Sequence, residues 1–159
     1  MTTPEITEAL TATDAALARL DDALAGLSDG DLHLAHRDGG WTSAQLVSHS
    51  GMSVLLWTAT LARAAHDPEL SFVFREEIGH DVLGYPPPRI EVARRQLDST
   101  RRTLSTAVPA ASADVLARSL EIPDLGTLTL GDWTPPVLGH AAGHAQQALD
   151  VLRDRGALA

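Results

Sequence analysis

His140-Ala-Ala-Gly-His144 places two imidazoles four residues apart. On a helix that spacing puts both on one side, a single turn from each other, so both can reach one point off the face. A first-row divalent metal is bound by such convergent nitrogens. The chain holds seven His, so a pair of this spacing also arises by chance and its weight depends on its surroundings. His49, far upstream, is a third candidate. Gln45, Met52 and Leu56 share its side of a helix, where a lone His is either a hydrogen-bonded core residue or a ligand.

The composition narrows the chemistry further. There is no Cys, which excludes disulfides, iron–sulfur clusters, thiolate-bound zinc and a Cys nucleophile. Any metal must be held by His and carboxylates, and any thiol chemistry must use a thiol that arrives with a substrate or cofactor. A net charge of −9 and few aromatic residues argue against nucleic acid, whose phosphates call for clustered basic groups. All the basic residues are Arg, which together with abundant Ala reads as genome composition rather than function. A length of 159 residues suggests one domain, residues 1–159, able to bury a core without staples. No apolar run has the length of a membrane span, and the N-terminus shows no export signal, so the expected location is cytoplasmic.

Four helical segments must position these residues. Leu10, Leu17 and Leu24 recur every seven residues, with Ile6, Leu20 and Leu27 alongside, which predicts a helix over 5–27 ended by Ser28-Asp-Gly30. Thr42 and Gln45 have capping-box spacing before a second helix over 43–66, and Trp41 and Leu46 stand where a hydrophobic staple would. Gly51, in mid-helix, suits the close approach of a neighbour. A third helix over 89–107 follows Pro86-Pro-Pro88, with Ile90, Leu97 and Leu104 in its apolar repeat. Its Arg94, Arg95, Arg101 and Arg102 form a solvated face, or alternatively one of them meets an anionic substrate group. A short helical turn near 112–117 and an extended piece precede the last helix. Thr129 and Asp132 mimic a capping box, but Pro135-Pro136 would lie deep in that helix, so a start near 135 is expected.

Between the second and third helices the periodicity fails over 66–88, yet Phe72, Phe74, Ile78 and Leu83 are too apolar for a disordered linker. An ordered crossover is expected there, with a short helix around 75–83 and with His80, Arg75 and Tyr85 as candidates for the mouth of a site. The pattern predicts an all-α four-helix bundle with a long crossover between helices 2 and 3, and no strand alternation stands out.

Two segments carry a family resemblance. Asp38-Gly-Gly-Trp-Thr-Ser-Ala-Gln-Leu-Val-Ser-His49 resembles the start of the second helix of DinB/YfiT-like proteins, and Leu125 to Trp133 followed by His140-xxx-His144-xx-Gln147 resembles their final helix. The resemblance implies a four-helix bundle that binds a divalent metal, usually zinc or nickel, through His49, His140 and His144. It also implies relatives that use mycothiol, bacillithiol or similar low-molecular-weight thiols, and dimers formed through bundle faces. The mycothiol-dependent isomerases tend to carry Glu where this chain has His140, which places it nearer the other branch. Iron is the least expected metal, because the three-His sulfoxide synthases of this scaffold need a large second domain.

Three neutral imidazoles around a divalent ion would leave an open coordination position, the pattern of catalytic zinc. Gln147 and Gln45 are candidates to fix imidazole tautomers, or are simply satisfied core amides. The leading functional expectation is a metal-dependent enzyme that transfers or removes a low-molecular-weight thiol on a small-molecule electrophile. The alternatives are a non-catalytic metal or ligand carrier on the same bundle, and a metal-dependent hydrolase.

Overall fold

Reciprocal capping boxes start the two helices that matter most. At Thr42 the hydroxyl accepts the Gln45 amide at 3.2 Å, and the Gln45 side chain accepts the Thr42 amide at 2.8 Å. The same pairing joins Thr129 and Asp132 at 3.0 and 3.2 Å. Each box satisfies N–H groups that the first turn of a helix leaves without partners. In this computed structural model, which describes residues 3–67, 69, 86–122 and 126–158, the helices that follow are α3 (Ser43–His66) and α6 (Leu130–Asp154).

The remaining elements are α1 (Pro4–Leu24), α2 (Asp29–Leu32), α4 (Ile90–Ala110), α5 (Ala113–Leu116), β1 (Ser119–Ile122) and β2 (Gly126–Thr129). The long helices close a ring: α6 packs on α1 and α3, and α4 packs on the same two from the other side. This is the expected four-helix bundle. Its α3 has the predicted bounds, while α1 ends earlier than expected because Ser28-Asp-Gly30 opens α2.

Two expectations are corrected. The last helix begins at Leu130 rather than near 135, so Pro135 and Pro136 lie in its second turn. The bonds they forgo are those to the carbonyls of Gly131 and Asp132, and the Thr134 hydroxyl donates to the Leu130 carbonyl at 2.7 Å. Near the helix start this loss is small enough for the capping box to decide the boundary. The extended piece is a two-stranded antiparallel hairpin, with Ser119 opposite Thr129 and Ile122 opposite Gly126. Strands of four residues are too short for alternation to register in the sequence.

Leu17, Leu20, Leu24, Leu46, Leu97, Leu104, Leu138 and Leu152 are almost completely buried between the helices. Each contributes about 1.5–3 kcal/mol by leaving water. Leu10 and Ile90 are only partly covered. Gly51 lies against α4, where an added Cβ would stand 3.1 Å from the Thr100 hydroxyl. Arg94 and Arg101 clamp α4 to α1 through Asp21 and Asp14, each at 2.7 Å, whereas Arg95 and Arg102 pair with Glu91 and Asp98 of their own helix. All four guanidinium groups thus face carboxylates, which favours the structural reading of this surface over an anion site. Arg118, ahead of the hairpin, donates to the Ala64 and Asp67 carbonyls and so holds the exposed end of α3.

The mouth candidates His80, Arg75 and Tyr85, and the short helix expected at 75–83, lie outside the described residues. None of the described helices is long and apolar enough to cross a membrane. Thr42→Ala should cost about 1 kcal/mol by leaving the α3 start uncapped. A urea-unfolding midpoint unchanged from that of the parent chain would show that the box does not hold this helix start.

Candidate metal centre

The approach of α3 to α6 brings the distant His49 to the other two. The two helices run antiparallel: the Ser43 hydroxyl donates to the Ala148 carbonyl at 3.2 Å, Ser50 to Ala141 at 3.1 Å, and the Trp57 indole N–H to the Thr134 hydroxyl at 3.1 Å. Small residues permit this closeness, since Ala141, Ala145 and Ala148 are wholly buried. His49, two turns into α3, therefore stands opposite the turn of α6 that carries His140 and His144.

Three Nε2 atoms converge. His49 Nε2 lies 3.0 Å from His140 Nε2, which lies 3.2 Å from His144 Nε2, and the three ligand atoms all fall within 4.8 Å of one another. Two nitrogens bound to one tetrahedral zinc at about 2.0–2.1 Å would be about 3.3 Å apart, so the spacing fits such an ion. A second observation agrees. The Nδ1 of His144 pairs with Gln147 Oε1 at 3.0 Å, and an amide oxygen only accepts. The His144 proton therefore sits on Nδ1, and its Nε2 presents a lone pair. His140 Nε2 faces two nitrogens and carries at most one proton, so it cannot serve both contacts as a donor. A cation shared by the three rings would resolve that arrangement.

His49 is buried, His144 half-buried and His140 exposed, so the cluster opens to solvent on the His140 side. Among the described residues no carboxylate belongs to it. Partial desolvation of the His140 ring lowers its pKa below the usual 6.5, and the neighbouring His144 lowers it further. Burial also lowers that of His144, against its hydrogen bond to Gln147 Oε1, which raises it. Both rings are thus neutral at pH 7, the form that ligates metal.

The sign of the pH effect follows. Both groups have a folded-state pKa below the unfolded value near 6.5, so on acidification the unfolded chain takes up protons first. Stability of the metal-free protein should therefore fall as pH drops through about 6.5 and level off below the folded-state values. Urea midpoints measured between about pH 7.5 and 5.5 should fall less in a His140→Gln/His144→Gln variant than in the parent. Parallel profiles would contradict this assignment.

Trp41 packs against the core as a staple residue would, and it also meets the imidazoles. Its ring centroid lies 4.8 Å from that of His49 in an edge arrangement and 5.5 Å from that of His144 at a tilt of 32°. Gly39 and Gly40, at φ of 91° and 103°, turn the chain into this position, and the Arg37 amide donates to Asp154 of α6 at 2.9 Å. Gln45 is occupied by the capping box and does not serve an imidazole, whereas Gln147 does. His33 and His36 lie outside the cluster, beside the Pro88 carbonyl and beside Asp38 and Asp154 respectively.

Comparison with known proteins gives the same architecture. The chain is similar to YfiT from Bacillus subtilis, described as a probable metal-dependent hydrolase with an unusual four-helix bundle topology. The TM-score is 0.74 at 17% identity, covering 98% of this chain and 90% of that one. It is also similar to a mycothiol-dependent maleylpyruvate isomerase, with a TM-score of 0.68 at 15% identity over 92% of this chain. Only 62% of the isomerase chain is covered. No curated protein matches the sequence. At these identities the structures speak for the fold alone. Residues 12–148 match the DinB superfamily, a span that includes α3, α4 and all three clustered His, and the chain belongs to that superfamily.

Proposed function

We propose that His49, His140 and His144 hold one divalent cation, zinc or nickel, and that the protein is an enzyme joining a low-molecular-weight thiol to a small electrophile or removing it. The observation that carries this reading is the convergence of three Nε2 atoms on a point that is open on one side. An ion held there by neutral ligands keeps its full charge and supplies the Lewis acidity that holds a thiol deprotonated near neutral pH. The chain has no thiol of its own, so the nucleophile must enter with the substrates. A thiol of the mycothiol or bacillithiol type suits that need, as does the isomerase likeness.

The protein's own groups have separate tasks in this scheme. Gln147 fixes the His144 tautomer, and neutral rings keep protons from competing for the ligand atoms. The depth of His49 anchors the inner side of the site, and the exposure of His140 leaves the outer side to reactants.

A second reading, hydrolysis with water in place of the thiol, is favoured by the likeness to YfiT over nearly the whole of both chains. The test is turnover of a panel of small electrophiles and esters by zinc- or nickel-loaded protein, with and without added thiol. Turnover that requires thiol supports the first reading, and thiol-independent turnover supports the second. Ion binding without any turnover would leave a carrier on the same bundle.

A further inference from the structure

We infer that Trp41 is a positioning residue of this centre, which sets its metal affinity by holding the rings of His49 and His144. The inference rests on the proposed three-His site and adds a component from a separate part of the chain. The indole meets His49 edge-on at 4.8 Å and lies at a shallow tilt to His144 at 5.5 Å, so it contacts one ring from each helix. His49 and His144 in turn stack edge to face at 4.6 Å. The three rings form one packed group, and rotation of either imidazole away from the common point would have to displace the indole.

The segment carrying Trp41 is braced on both sides. Thr42 is the N-cap of α3, an Ala35–Thr42 bridge closes the turn behind it, and Asp154 of α6 accepts the Arg37 amide. The loop is therefore tied to both ligand-bearing helices, and the indole arrives already placed. Groups behind the ligands commonly contribute about 10–100-fold to metal affinity by fixing ligand orientation.

Trp41→Ala and Trp41→Phe should be compared with the parent chain by Co²⁺ titration, followed in the visible absorption of the ion and in tryptophan emission. Trp41→Ala should weaken Co²⁺ binding at least about tenfold and alter its visible spectrum, while Trp41→Phe should stay within about threefold of the parent. Emission supplies a readout that loss of packing alone would not produce. Trp57 is about 12 Å along α3 from His49 and Trp133 about 10 Å along α6 from His140, so quenching by Co²⁺ should come mainly from Trp41. Trp41→Phe should accordingly keep the ion and lose most of the quenching. Trp41→Ala with parental affinity and spectrum would overturn the inference alone, as would Trp41→Phe failing to the same degree as Trp41→Ala. A parent chain that binds no Co²⁺ would overturn the proposed site and this inference with it.

Discussion

His144→Ala is expected to abolish stoichiometric binding of a divalent ion while leaving the helical content unchanged. Removing the side chain deletes one of the three proposed ligand atoms and releases Gln147, its partner at 3.0 Å. The loss should exceed the range of about 10–100-fold typical of groups behind the ligands, so affinity should fall by at least about a hundredfold. The fold should persist, because the leucines that fill the bundle form an apolar core to which the three-His cluster does not belong. For the same reason chelation should leave a cooperative thermal transition. Elemental analysis of untagged protein, with circular dichroism in parallel, checks both parts. Full metal content in His144→Ala would remove His144 from the ligand set.

Ala145→Leu should destabilise the fold and weaken the centre together. Ala145 has no exposed surface and stands between Ala141 and Ala148, whose carbonyls accept hydroxyls from Ser50 and Ser43 of α3. Leucine at this position overfills a packed core, at a cost of about 1–3 kcal/mol. Part of the strain should be relieved by moving α6 away from α3, which separates His140 and His144 from His49. Gly143→Ala provides the control on the same turn. Nothing stands within 4 Å of the added methyl, so it should stabilise the helix by about 0.5–1 kcal/mol and leave the ion in place. Chemical denaturation and Co²⁺ affinity, measured on both variants, separate the two effects. Ala145→Leu with parental affinity would show that the site tolerates a shifted α6.

The parts of this molecule that were legible in the sequence are those decided locally. The α3 bounds follow from Thr42, Gln45 and the apolar repeat, and the pairing of His140 with His144 follows from helix geometry. The start of α6 was not legible in this way, because a capping box and a proline pair gave opposite signals, and the box sets the boundary while the prolines fall in the second turn. The hairpin escaped notice because each strand is too short to show a period. His49 and Trp41 depend on tertiary contact. Family likeness pointed to His49, whereas Trp41 had a sufficient local explanation as a staple, and that explanation obscured its contact with two imidazoles. Arg94 and Arg101 read as surface charge, and only the folded chain shows them joined to α1.

The central claim is that His49, His140 and His144 together bind one cation and leave it accessible. An anomalous-difference map from crystals of untagged protein grown with zinc tests it most directly. The account predicts one peak about 2.0–2.1 Å from all three Nε2 atoms, with a further position held by solvent. A map with no peak at the cluster, or with His49 turned away from an ion held by other residues, would contradict it.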